Sequence, residues 1–224
     1  MLFRSIGGTA DKHKVNIKDL RDLDAAFRLN FVNGAGVGWT HTSTGMKGDG
    51  TGAYANTFIS PQSHLIHYSV HAGVYVITPA NGTYYDIGAI HNVSGVSPGI
   101  TLNANYTGTF GGFGCYIHAG TTPDRVVFSV DDGRGFILGS RTTQTDSRGY
   151  SKRFQTAINT NIATDQTITN NLYIGGANYN GTLIAASPRE YGFATIGYGL
   201  VQREAYIYMN LINRLQITLG RSVD

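Results

Sequence analysis

Residues His64 to Thr78 read HLIHYSVHAGVYVIT, and the fold turns on this stretch. Ile66, Tyr68, Val70, Ala72, Val74 and Val76 fall on alternate positions, with His67, Ser69 and His71 between them. Side chains of a strand point to opposite faces with a period of two, so the pattern predicts a half-buried strand with a wetted histidine face. Ala26 to Val32 alternates in the same way, Phe27, Leu29 and Phe31 against Arg28 and Asn30. Further strands are predicted at Thr83 to Ile90, Gly99 to Asn105, Phe110 to His118, Arg125 to Val130, Gly135 to Arg141, Asn171 to Gly175 and Tyr191 to Ile196. Between them stand Asn33-Gly34, Asp49-Gly50, Asn81-Gly82, Asp132-Gly133 and Asn180-Gly181, pairs suited to the positive backbone angles of tight turns. Many short strands at close spacing predict an all-β sandwich or barrel.

The C-terminus departs from this pattern. Val201, Ala205, Tyr208, Ile212, Leu215 and Leu219 recur at helical spacing, which predicts an amphipathic helix over 201–219 that lies on the sandwich and stops at Gly220. Glu204 falls in its first turn, where a negative charge favours the positive end of the helix dipole. No repeat or long linker divides the chain, so its 224 residues predict one domain over 23–224, after a polar arm over 1–22.

Charge is scarce at 14% Asp, Glu, Lys and Arg, against about 25% in an average soluble protein. The 17 basic residues leave 48–124 without a Lys or Arg, so a continuous phosphate-binding surface is not expected and nucleic acid is set aside as a partner. No apolar run is long enough to span a bilayer as a helix, and the opening residues do not read as a secretory signal. The single cysteine, Cys115, has no partner for an internal disulfide and is expected to be buried.

Sites of chemistry are few. On a strand, His67 and His71 stand about 13 Å apart and His64 points the other way, so these three do not converge on a metal. Glycoside hydrolysis needs a facing pair of carboxylates, and the chain has only the glutamates Glu190 and Glu204, with Asp131 and Asp132 adjacent in a turn. A nucleophile elbow is absent, and Gly111 to Gly114 does not lead into a helix. No catalytic residue, metal or cofactor is expected. The 14 tyrosines are the remaining resource: aromatic rings stack on sugars while amides and carboxylates bind hydroxyls. Tyr84, Tyr85 and Asp86, with Asn178, Tyr179 and Asn180, are the candidate ligand-binding residues.

The segment DAAFRLNFVNGAGVGWTHTSTGMKGDGTGAYANTFISP, with Trp39, Thr44 to Gly48 and Tyr54 to Phe58, resembles the opening of laminin G-like, concanavalin A-like domains of bacteriophage structural proteins. The close, EYGFATIGYGLVQREAYIYMNLINRLQITLG, is similar to that family's end, and YYDIGAI, GFILGSRT and LYIGG match between. The resemblance implies an all-β jelly-roll sandwich of two antiparallel sheets, carried on a virion and made in the host cytoplasm. It also implies other virion proteins and host-surface glycans as partners, and a homo-oligomer. The function expected on this basis is a non-enzymatic tail or surface adhesin. The alternatives are a decoration or connector protein, and more remotely a polysaccharide hydrolase.

Overall fold

The computed structural model describes residues 1–4, 8–92, 97–107, 111–119, 124–151, 156–160 and 167–223. Among these, two sheets lie face to face. The first runs β13-β12-β11-β6-β17-β4-β3: Thr156–Asn159, Asp146–Tyr150, Gly135–Thr143, Val70–Thr78, Glu190–Gly197, Met46–Lys47 and Thr40–His41, with β1 (Leu2–Arg4) also on β17. The second runs β10-β9-β8-β7-β14-β5-β2: Val126–Phe128, Gly112–Ala119, Gly99–Tyr106, Ile87–Ile90, Tyr173–Ile174, Tyr54–Asn56 and Asn30–Val32. A hairpin of β15 (Ala177–Tyr179) and β16 (Thr182–Ile184) joins the second sheet, β15 lying parallel to β7. The other pairings between the described strands are antiparallel. Three helices are described: α1 (Ala10–His13), α2 (Pro61–His64) and α3 (Gln202–Thr218).

Alternate side chains of the two sheets meet in the interior. Val70, Ala72, Val74 and Val76 of β6 join one buried cluster with Ile100, Leu102 and Ala104 of β8 and with Phe113, Cys115 and Ile117 of β9. Burial pushes the Cys115 thiol far up from its ordinary value, and Gly139 of β11 packs so close that a Cβ there would stand 3.0 Å from its sulfur.

The first sheet is buried on its other face as well, because α3 lies across it. Tyr75, Phe136, Leu138, Tyr150 and Phe193 of the sheet pack with Ala205, Met209 and Ile212 of the helix. The wetted histidine face expected of β6 is therefore corrected: His71 is buried, its Nδ1–H donating to the Tyr198 carbonyl at 2.5 Å and its Nε2 lying 2.9 Å from the Thr195 hydroxyl. The strand also starts later than expected, since Pro61–His64 is a helical turn, and His64 and His71 sit on separate elements. In α3 the buried stripe is Ala205, Met209, Ile212 and Gln216, while Val201 is exposed. The helix is thus turned by about one position from the stripe read in the sequence. Glu204 Oε2 accepts from the Val201 N–H at 3.0 Å, closing the first turn.

Other expectations are corrected. Within the stretch 1–22 read as a polar arm, Leu2 to Arg4 pair with Phe193 to Thr195, and Phe3 is buried in the core. Asn16 fastens the next stretch, its Oδ1 accepting from Leu2 N–H and its Nδ2 donating to the Ala26 carbonyl. The strand expected over Ala26 to Val32 begins only at Asn30, because Asp24–Ala26 forms a 3-10 turn closed by Phe27 in the left-handed region. Strands β12 and β13 have no counterpart in the sequence reading. The start of the strand expected at Phe110 lies outside the described residues.

One polar cluster crosses the sandwich at the end where β7 and β17 begin. Asp86 and Arg189 are each 0% exposed, and Arg189 Nη1 reaches Asp86 Oδ2 at 2.9 Å and Oδ1 at 3.1 Å. The carboxylate also accepts from Tyr191 Oη at 2.6 Å and from the Ala104 N–H at 2.6 Å. The guanidinium donates onward to the carbonyls of Ala80 and Asn105. Burial alone would lower the Arg189 pKa, but the facing carboxylate outweighs it and the net shift is upward. Burial, reinforced by the same carboxylate, holds the Tyr191 hydroxyl well above its usual range.

Removing one member of a buried pair leaves the other uncompensated, so Asp86→Ala is expected to lower unfolding free energy by about 3–5 kcal/mol in urea titrations. Asp86→Ala with Arg189→Met should recover part of that loss; no recovery would mean that the pair is not what holds this end together. A second measurement concerns His71, whose pKa burial depresses from 6.5 to about 4. Above pH 6.5 neither folded nor unfolded chain protonates it. Between 6.5 and 4 only the unfolded chain does, so stability falls as pH falls, by about 3 kcal/mol from this residue. His71→Gln should flatten that pH dependence by a corresponding amount, and an unchanged slope would refute the assignment.

Candidate functional site

With α3 over the first sheet, the outer face of β7, β8 and β9 is the sheet surface that no helix covers among the described residues. Alternation along β8 sends Ile100, Leu102 and Ala104 inward, and Thr101, Asn103 and Asn105 outward. On β9, Tyr116 lies between the inward Cys115 and Ile117 and faces outward, directly opposite Thr101 in the ladder. Arg125, just before β10, lays its guanidinium 4.3 Å from the centre of the Tyr116 ring and donates to the Tyr116 hydroxyl. Such stacking holds a cation and an aromatic face in one orientation.

Tyr85 and Tyr179 close the cleft from the opposite side. Tyr85 precedes β7 and is anchored by its N–H to the Ala185 carbonyl at 3.0 Å. Tyr179 ends β15, which the parallel pairing sets beside Ile90. The β15–β16 hairpin turns through Asn180 and Gly181, with φ of 48° and 91°. Two successive positive angles are the two-residue turn anticipated from Asn-Gly, and that turn brings Tyr179 over the sheet.

These side chains enclose a cleft of about 340 Å³, with Ser97 and Gly99 at one margin and Ile184 at another. Its polar floor is Thr101, 1% exposed, whose Oγ1 has no hydrogen-bond partner among the described residues. A buried hydroxyl left unmatched costs about 1–3 kcal/mol. Burial raises the Tyr85 hydroxyl above its ordinary value, partly offset by the Arg125 charge. Among the described residues Arg125 is the charged residue lining the cleft, and no described carboxylate lines it. The cleft offers aromatic faces, hydroxyl donors and one cation, which suits a neutral or anionic polyhydroxylated ring.

The six residues singled out from the sequence divide. Tyr85 and Tyr179, far apart in the chain, meet in the cleft. Tyr84 instead stacks beside the buried Arg189, whose guanidinium lies 5.6 Å from its ring centre. Asp86 is consumed by the ion pair and faces no solvent. Asn178 is buried, its amide donating to the Asn171 carbonyl at 3.0 Å and its oxygen accepting from Gly181 N–H at 2.8 Å. Asn180 fastens the turn to Asn92, accepting from its N–H at 3.0 Å. Thr101, Tyr116 and Arg125 were missed, although the outward positions of β8 and β9 were open to the same alternation argument that placed their inward neighbours.

A second cavity, of about 560 Å³, lies between β1, β17 and α3, lined by Leu65, His71, Thr195 and Tyr208 among others. The Tyr208 hydroxyl donates to Thr195 Oγ1 at 3.0 Å, and burial lifts the Tyr208 pKa to about 12. His71, Thr195 and Tyr208 are bonded to one another there. Among the described residues no group of three or more His, Cys, Asp or Glu could hold a metal ion.

No family model matches the chain, and no curated protein matches it. Among solved structures, a mutant of Trypanosoma rangeli sialidase displaying trans-sialidase activity aligns with 88% of this chain, at 15% identity and a TM-score of 0.54. Trypanosoma rangeli sialidase in complex with 2,3-difluorosialic acid aligns over the same share at 14% identity and a TM-score of 0.45. This chain spans 30% of the length of each. The expectation that the protein is not an enzyme is corrected, because a solved structure that shares its fold is a sialidase mutant displaying trans-sialidase activity. Lack of a familiar carboxylate pair in the sequence was no ground for setting catalysis aside. At 15% identity the likeness is one of fold, and the chain is similar to part of that sialidase as a two-sheet antiparallel sandwich.

Proposed function

We propose that this protein is a saccharide-binding sandwich serving in attachment to glycan-bearing surfaces. The observation that carries the reading is the cleft on the uncovered sheet, where Tyr85, Tyr116 and Tyr179 stand around the unmatched Thr101 hydroxyl and the Arg125 cation. Tyrosine rings supply large, rigid contact area to the apolar face of a sugar, and hydroxyl and guanidinium groups fix its orientation. A volume near the lower end of ligand clefts, about 300–1,000 Å³, fits a short stretch of glycan rather than a long chain. Binding at one such site is weak, and attachment gains strength from many copies acting together. The resemblance to concanavalin A-like domains of bacteriophage structural proteins supports a place on a virion surface, with host glycans as the ligand.

A glycan array probed with a chemically multimerised form of the protein tests this. Retention of a defined set of glycans is expected, weakened about tenfold or more by Tyr116→Ala or Tyr179→Ala and little affected by Ile207→Ala on the far side. No retained glycan at high multimer density would overturn the reading. Thr101→Val gives a sharper test, because it removes the unmatched hydroxyl at nearly constant shape. The variant should be more stable than the parent by about 1 kcal/mol in urea titrations and should bind glycan less well. Unchanged glycan binding would show that Thr101 does not touch the ligand.

A further inference from the structure

The outward face of α3 carries a pattern that packing on the sheet does not explain. Ala205, Met209, Ile212 and Gln216 face the sheet. Opposite them, Glu204, Ile207, Leu211 and Arg214 follow at steps of three, four and three, which places them on one stripe. Ile207 is 52% exposed and Leu211 56% exposed, and Val201 and Ile217 extend the exposed apolar surface at either end. Glu204 uses Oε2 for the Val201 N–H, and neither its other oxygen nor the Arg214 guanidinium has a partner among the described residues. Uncovered aliphatic residues in the middle of a helix, flanked by charges of opposite sign, form a surface that needs a counterpart.

We propose that this stripe is the seam of a twofold dimer in which α3 packs antiparallel against α3 of a second copy. The positions are self-complementary about Met209. With the twofold axis there, Ile207 meets the partner's Leu211 and Glu204 meets the partner's Arg214, and the symmetry repeats both contacts. This alternation of layers is the one that antiparallel helices with a seven-residue repeat adopt. A parallel pairing would set Glu204 against Glu204 and Arg214 against Arg214, so the charges select the antiparallel direction. An unrelated partner has no need of a stripe whose apolar and charged residues are both symmetric about one point. The seam is short: a 17-residue helix spans about 25 Å, and one helix face buries less than the roughly 800 Å² per partner of a standard interface. The dimer is therefore reversible and concentration-dependent.

Sedimentation equilibrium of the whole chain, over about 1 μM to 1 mM, tests the proposal. The native sequence should pass from monomer to dimer, and Leu211→Glu should weaken association by about tenfold or more. Glu204→Arg and Arg214→Glu should each stay monomeric alone, since each places like charges in contact. Mixed in equal amounts, the two variants bring every charge against its opposite and should form a heterodimer. These residues are at the surface, and circular dichroism should show the helix retained in each. A native chain that stays monomeric throughout, a dimer indifferent to Leu211→Glu, or a mixture that remains monomeric would each overturn the proposal. This inference does not depend on the saccharide cleft, which lies on the opposite sheet.

Discussion

The buried pair of Asp86 and Arg189 is the constraint on which the arrangement of the sandwich depends. Two sheets held by aliphatic contact alone can slide, since hydrophobic burial has no direction. Here a carboxylate entering β7 of the second sheet is locked to a guanidinium entering β17 of the first. The same two groups collect a tyrosine hydroxyl, a β8 amide, the loop carbonyl of Ala80 and the β8 carbonyl of Asn105. Every polar atom brought out of water is met by a charged or dipolar partner, the condition under which a buried ion pair is tolerated. The register of β7 sets where Tyr85 stands, and through the parallel pairing with β15 it sets Tyr179 too. The cleft is thus a consequence of how the sheets are pinned.

Much of the fold was legible because its longest strands and its one long helix carry strong periodicity. Val70 to Val76, Gly99 to Asn105, Gly135 to Arg141 and Tyr191 to Ile196 form strands where the alternation places them, and the C-terminal helix spans 202–218 as its spacing implies. The failures have physical causes. Strands of two or three residues, such as Thr40–His41 and Met46–Lys47, are too short for a period to emerge. Strands β12 and β13 are recruited by pairing, β12 with β11 and β13 with β12, rather than by their own propensity. His71 looked like a residue on a wet face because alternation shows which side chains share a side, and not whether a distant helix will cover that side. Residues 1–22 looked like an arm because they are polar and their ties, Phe3 in the core, β1 on β17 and the amide of Asn16, are made to segments far along the chain or carry no period of their own.

The site was half legible for related reasons. Composition led to tyrosines flanked by amides, and two of those tyrosines, Tyr85 and Tyr179, do come together. Their neighbours Asp86, Asn178 and Asn180 turned out to be the fasteners that hold the tyrosines in place. A carboxylate or amide beside an aromatic ring reads the same in a sequence whether it meets a ligand or a backbone group. Arg125 could not be located from its own surroundings, since its role comes from lying across β9 against Tyr116. The correction regarding catalysis has the same root: short motifs describe local chemistry, whereas the fold aligns with part of a sialidase mutant displaying trans-sialidase activity.

Cys115 gives the molecule a practical property. Its sulfur is sealed between the sheets and resists ionisation, and ionised sulfur is the species that reacts with alkylating and disulfide-forming reagents. A cysteine introduced anywhere on the surface would therefore be the sole responsive thiol in the chain. Dyes, spin labels or a solid support can be attached at one chosen point, with the tyrosine-lined face directed toward or away from whatever it is offered.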